Sequence, residues 1–172
     1  MASGNNLLIL PAWSGIPTTT VGASFGTIAG ASTPAAAHPV ADFDDTTVEY
    51  LDFHGLWLPA HYAGGGVTLT FVWGAAATTN NGVWAAAFRA IPDDAEDLDT
   101  TAHTYDYNTT ADLTPPSAIG EVAYDTLVFT DGADMDSVAA SSYFSLRVKR
   151  PSPSGTWITG DQRLHLVIIT ET

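Results

Sequence analysis

From Val40 onward, apolar and polar residues alternate in short runs separated by turn residues. Val67, Leu69, Phe71 and Trp73 interleave with Thr68 and Thr70. That period of two is the mark of a strand with one buried face, because successive side chains point to opposite sides. Tyr143–Arg150 repeats the pattern, with Phe144, Leu146 and Val148 on one side and Ser145, Arg147 and Lys149 on the other. A longer run, 48–57, is stopped by Pro59 and followed by Gly64-Gly65-Gly66. The segment Thr78-Thr79-Asn80-Asn81-Gly82 predicts a hairpin loop in which Asn81-Gly82 supplies positive φ. It would return the chain along a strand at 83–91, where Trp84, Ala86 and Phe88 share a face. Further strands are expected at 102–110, 122–130 and 164–170, with a short helix at 131–140 capped by Asp131. About eight strands, no long helix and no βαβ alternation predict an all-β protein. The expected architecture is an antiparallel β-sandwich of the jelly-roll type.

Residues 1–41 break this rhythm. They contain no Asp, Glu, Lys or Arg, are rich in Ala, Gly, Thr, Ser and Pro, and show no sustained period. A tail left in water is ordinarily charged. This one is read as an extended N-terminal arm that packs on a neighbour or on its own domain, with the sandwich domain spanning 42–172. At about 3.3 Å per residue such an arm reaches tens of ångströms, and the sandwich is expected to fold without it. Its apolar contacts would come from Leu8, Ile9, Leu10 and Trp13. No basic n-region precedes the short run at Leu7 to Leu10, so no signal peptide is expected. No apolar stretch approaches the roughly 18 residues of a membrane span.

Charge narrows the partners. Among 172 residues, 19 are acidic and 5 are Lys or Arg, a formal net charge of −14. That excludes the basic footprint by which proteins displace counterions from nucleic acid, and it excludes basic anchoring on an anionic membrane. No nucleic acid and no membrane is therefore expected as a partner. Arg89 is the only Lys or Arg before position 147, and Arg147, Lys149, Arg150 and Arg163 follow within the last two strands. These four are expected to form a basic patch that meets acidic groups of a neighbouring copy or another protein; pairing with the chain's own carboxylates is the alternative.

Candidate chemistry is sparse. With no cysteine, there is no disulfide, thiolate site or cysteine nucleophile. Asp93, Asp94, Glu96, Asp97 and Asp99 could face a Ca²⁺ ion, although the loop lacks the Gly and Glu positions of an EF-hand. The five histidines show no ligand spacing, and only His54 and His61, flanking Pro59, form a pair. There is no G-x-S-x-G, S-x-x-K, Walker loop or G-x-G-x-x-G. The reading is a non-enzyme without cofactors. Trp57, Trp73 and Trp84 lie in expected strands as core or interface, and Trp13 and Trp157 lie outside them. A groove lined by exposed Trp or Tyr with adjacent acids would instead signal a glycan-binding module.

The order of segments carries a resemblance. F-D-D-T-T-V-E-Y-L-D-F (43–53) is followed by L-W-L-P-A-H-Y-A-G-G-G-V-T-L-T-F-V-W (56–73) and G-V-W-A-A-A-F-R-A-I (82–91). F-T-D-G-A-D-M-D-S-V-A-A (129–140), Y-F-S-L-R-V-K-R (143–150) and T-G-D-Q-R-L-H-L-V-I-I-T-E-T (159–172) come after. Over 43–172 the chain resembles a group of small proteins encoded in tailed-phage and prophage-like genomes. The resemblance implies a virion component made in the bacterial host cytoplasm. It would be a capsid decoration (cement) protein bound to the major capsid protein as a homotrimer, or a fibre-like protein of head or tail. A glycan-binding fibre module is the competing class. No catalytic residue is carried over.

Overall fold

The structure is a computed structural model that describes residues 4–151 and 156–172. Among them are eleven strands and two 3₁₀ turns, Ala12–Ser14 and Ala133–Met135. The strands are β1 (Asn6–Pro11), β2 (Ile16–Pro17), β3 (Ser24–Ala29), β4 (Ala37–Phe43), β5 (Glu49–Trp57) and β6 (Val67–Ala75). They continue as β7 (Ala85–Ala90), β8 (Asn108–Thr109), β9 (Ala123–Phe129), β10 (Tyr143–Arg150) and β11 (Gln162–Glu171).

Two antiparallel sheets face each other. The first runs β3-β4-β11-β6-β9, with β1 pairing the far half of β11; the second runs β2-β5-β10-β7-β8. Setting aside the three N-terminal strands leaves β4-β11-β6-β9 over β5-β10-β7-β8. Consecutive strands cross between sheets at every step except β7 to β8, which is the jelly-roll winding. Inward residues fill the space between sheets. Trp84 sits between Phe71, stacked at 5.6 Å, and Phe43, edge-on at 5.0 Å. Phe88 meets Phe129 and Phe144 in a second aromatic cluster.

Several expectations change. The stretch 78–82 is not a hairpin, because β6 and β7 belong to different sheets. Asn80, not Asn81-Gly82, has positive φ. Gly82 is required for another reason: a Cβ there would lie 2.7 Å from the Trp73 ring. The helix expected at 131–140 is only the 3₁₀ turn at 133–135. Strand structure in 102–110 is limited to Asn108–Thr109.

The arm is extended, but it is sewn into both sheets. β1 pairs β11, β2 pairs β5 and β3 pairs β4. Leu7, Leu10, Ala12, Ala23, Val40 and Ala41 are buried. The boundary expected between 41 and 42 falls inside β4. Leu7, Leu10, Ala12 and Ala23 cover apolar surface of the chain's own domain, whereas residues 31–39 of the same uncharged segment are exposed.

Candidate functional site

The four late basic residues do not form a patch. Arg150 alternates inward with Phe144, Leu146 and Val148, and it is 2% exposed. Its guanidinium donates to the carbonyls of Phe43, Ile158 and Gly160. Burial pulls its pKa down, opposed by the charges of Asp45, Asp161, Asp44 and Glu49. It is an internal tie between chain segments, unavailable to a partner. Arg163 points outward from the opposite sheet, with its Nε 3.3 Å from Asp42. Of the apolar arm residues, Leu10 is buried, Leu8 packs partly against the core, and Ile9 and Trp13 are exposed.

Arg147 and Lys149 do share the outer face of β10, where the segment 91–107 covers them. Arg147 donates from Nε and Nη2 to the two oxygens of Asp52 on β5, each at 2.6 Å, and its guanidinium lies 4.0 Å from the Tyr105 ring centroid. The Asp52 hydrogen bonds raise the Arg147 pKa above its ordinary value. Lys149 Nζ lies 3.6 Å from the Tyr107 ring centroid, and burial lowers its pKa. At the start of the strap, Arg89 on β7 binds Glu96. Through these contacts the strap covers the sheet, with Arg147 between a carboxylate and an aromatic ring, Arg89 on a carboxylate and Lys149 over a ring. Pairing with the chain's own carboxylates therefore accounts for Arg147 and Arg163, while Lys149 is held over Tyr107.

The outer face of the other sheet is different. Alternation places Ile9 of β1, Leu166, Ile168 and Thr170 of β11, Thr68, Thr70 and Val72 of β6, and Tyr124, Thr126 and Val128 of β9 on it. None of these carries a charge; the Arg163–Asp42 pair lies at the other end of β11, where it meets β4. Tyr124 is 68% exposed, and Ile9 and Val128 are more than half exposed.

A cleft of about 550 Å³ opens where β5 and β10 meet the exit of β7. Trp57 and Tyr143 are register partners there, so both line the same side. Ile91, Pro92, Asp93, Asp94 and Glu96 add wall, as do Ser141 and Ser142, which directly precede Tyr143. A bulge directs Trp57 outward. Leu51 and Phe53 point inward, the pairing shifts at His54-Gly55, and Leu56 is the next inward residue. Gly55 has φ +71°, a conformation that glycine adopts without strain. An unbroken period of two would have pointed Trp57 into the core. Trp73 in β6 and Trp84, just before β7, are fully buried, as core tryptophans.

Among the described residues no three His, Asp or Glu side chains converge in a group that could hold a metal ion. His54 lies 3.9 Å from Asp52, and both His54 and His61 are exposed. Among the described residues no helix is long and apolar enough to cross a membrane.

No family model matches the chain, and no curated protein matches it. Among solved structures, an exo-β-1,3-galactanase from Phanerochaete chrysosporium aligns over 98% of this chain at 12% identity with a TM-score of 0.49. The chain spans 29% of that protein's length. The K1 cleaved adhesin domain of Lys-gingipain from Porphyromonas gingivalis W83 aligns over 98% of this chain and 99% of its own at 15% identity, TM-score 0.44. The K3 domain of the same protein gives 17% identity over 97% and 100%, TM-score 0.41. At these identities the likeness concerns the course of the chain and carries nothing about ligand or activity.

Proposed function

We propose that the chain is a structural protein of a phage virion, a decoration protein that lies on the head surface and docks through the outer face of the β1-β11-β6-β9 sheet. The observation that carries this reading is the contrast between that uncharged, partly aliphatic face and a molecule of net charge −14. The strap side brings Asp93, Asp94, Asp97 and Asp99 toward a neighbour; this stretch brings Ile, Leu, Val, Tyr and Thr. The resemblance of the segment order to small tailed-phage proteins supports the virion setting. A jelly roll whose N-terminal segment is sewn into both sheets suits a rigid surface component. In this reading copies meet the major capsid protein, and one another in a trimer, through that face, and the acidic remainder faces solvent.

A cryo-EM map of the virion whose genome encodes the chain tests the proposal. The expected result is jelly-roll density on the head with β9 and β11 turned toward a protein neighbour. A head that lacks it, or copies attached by the strap-covered face, overturns the docking surface.

A further inference from the structure

The Trp57 cleft is independent of that docking face and has chemistry of its own. Trp57 is 56% exposed at the end of a strand whose bulge turns it outward. Leaving so large an apolar ring in water forfeits burial that an inward position would supply. Its neighbours in the cleft differ in how far they are already committed. Glu96 is held by Arg89, and the Ser142 hydroxyl donates to the Ala139 carbonyl. Asp93 and Asp94 are exposed, and among the described residues neither carboxylate has a hydrogen-bond or ion-pair partner.

An exposed indole beside two uncommitted carboxylates and a serine pair suits a ligand with an apolar face and a rim of hydroxyl donors. A pyranose ring is such a ligand: its C–H face stacks on indole, and its hydroxyls donate to carboxylates and exchange hydrogen bonds with serine. A volume of about 550 Å³ admits one or two such rings, and it is far larger than a single ammonium group would fill. The three acids repel anionic sugars, which leaves neutral ones.

We propose that this cleft binds a neutral pyranose unit of an oligosaccharide, with Trp57 as stacking platform and Asp93 and Asp94 as hydroxyl acceptors. The site is a binding site and performs no chemistry on the sugar.

The full chain titrated with lactose, maltose, cellobiose and N,N′-diacetylchitobiose, followed by indole NMR shifts and saturation transfer, tests it. At least one sugar is expected to shift the Trp57 indole resonance. Trp57→Ala and the double variant Asp93→Ala/Asp94→Asn, whose asparagine tolerates the left-handed backbone at 94 (φ +52°), are expected to weaken binding at least tenfold, and Trp57→Phe to retain most of it. All these side chains are exposed, so the variants keep the fold, which the unchanged spectrum of the buried Trp84 verifies. The proposal is overturned if none of the four sugars perturbs Trp57, or if binding survives Trp57→Ala. It is also overturned if tetramethylammonium shifts Trp57 and displaces the sugar, which would make the cleft a cation site. None of these outcomes bears on docking through the opposite sheet.

Discussion

The two sheets present opposite solutions to the same problem, an outer face that the core does not cover. On the β5-β10-β7 face, the chain supplies its own cover. The strap lays Tyr105 and Tyr107 over Arg147 and Lys149 and Glu96 against Arg89, while Asp52 takes Arg147 from within the sheet. On the β1-β11-β6-β9 face no strap lies over the sheet among the described residues, and beyond the Arg163–Asp42 pair at the β4 end it presents aliphatic, aromatic and threonine side chains. Three of the five Lys and Arg residues are spent on the covered face, so the cations that could have served a partner serve the fold. The bare face is left as the place where another surface can approach without meeting carboxylate.

The largest effect is expected from removing what both faces share. Deleting residues 1–41 takes β1, β3 and most of β4 from the bare sheet and β2 from the covered one. It also exposes apolar positions in the body that Leu7, Leu10 and Ala12 cover. The truncated chain is expected to show no cooperative thermal transition by circular dichroism. A truncated chain that melts like the full one would show that the arm is applied to a finished sandwich.

Next comes a pair of arginines, one on each side. Arg147→Ala leaves Asp52, whose side chain is 8% accessible, without its bidentate partner and releases Tyr105. Stripping one partner from a pair this buried costs about 3 kcal/mol. Arg163→Ala removes a single, more open contact with Asp42 and is expected to cost about 1 kcal/mol or less. Urea unfolding of both variants measures the difference, and limited proteolysis within 93–107 should accelerate in Arg147→Ala alone. Equal losses would remove the distinction between a strapped face and a bare one.

Much of this asymmetry was written in local periodicity, and the parts that were not have identifiable causes. β10 is legible to the residue, because one of its faces is fully buried and the other polar. The same alternation places Arg150 inward with Val148, a position that grouping it by charge with Lys149 obscures. The strap imitates a strand: His103, Tyr105 and Tyr107 are half-buried, alternating with exposed Ala102, Thr104 and Asp106. It has a period of two because an extended segment lies flat on a sheet, without pairing along an edge. The winding from β6 to β7 is invisible locally, since a crossing between sheets uses the same Gly and Asn residues as a hairpin. Trp57 is reversed by one inserted residue, and Gly55 within a strand is the signal that marks it.

The third prediction concerns the strap's tyrosines. Burial raises Tyr107 from 10.0 to about 12. The folded state therefore keeps a phenolic proton that the unfolded chain releases near pH 10. The resulting stability is complete below pH 10 and is lost as pH rises toward 12. Burial lowers Lys149, whose contribution runs the other way, so the tyrosine term is isolated by comparing wild type with Tyr107→Phe. In tyrosinate difference absorbance, the variant should lack part of the late-ionising population, leaving Tyr62, which burial also raises. Its stability should fall less steeply above pH 10. An unchanged late population would place Tyr107 in water and the strap off the sheet.

The smallest effect on stability should carry the largest effect on association. Tyr124→Asp with Val128→Asp places two carboxylates on the bare face at exposed positions of an edge strand, and it should shift the unfolding free energy by about 1 kcal/mol or less. Thr104→Asp with Thr109→Asp adds the same charge at exposed positions on the strap side, so the pair of variants holds net charge constant while changing its location. If the bare face is the docking surface, the first variant loses co-sedimentation with undecorated heads and the second keeps it. The reason is local: two fixed charges facing an apposed protein surface must be desolvated on contact, whereas two more on an already acidic exterior remain hydrated. Co-sedimentation that falls equally in both variants would assign attachment to long-range charge, and retention by the first would remove the bare face from the interface.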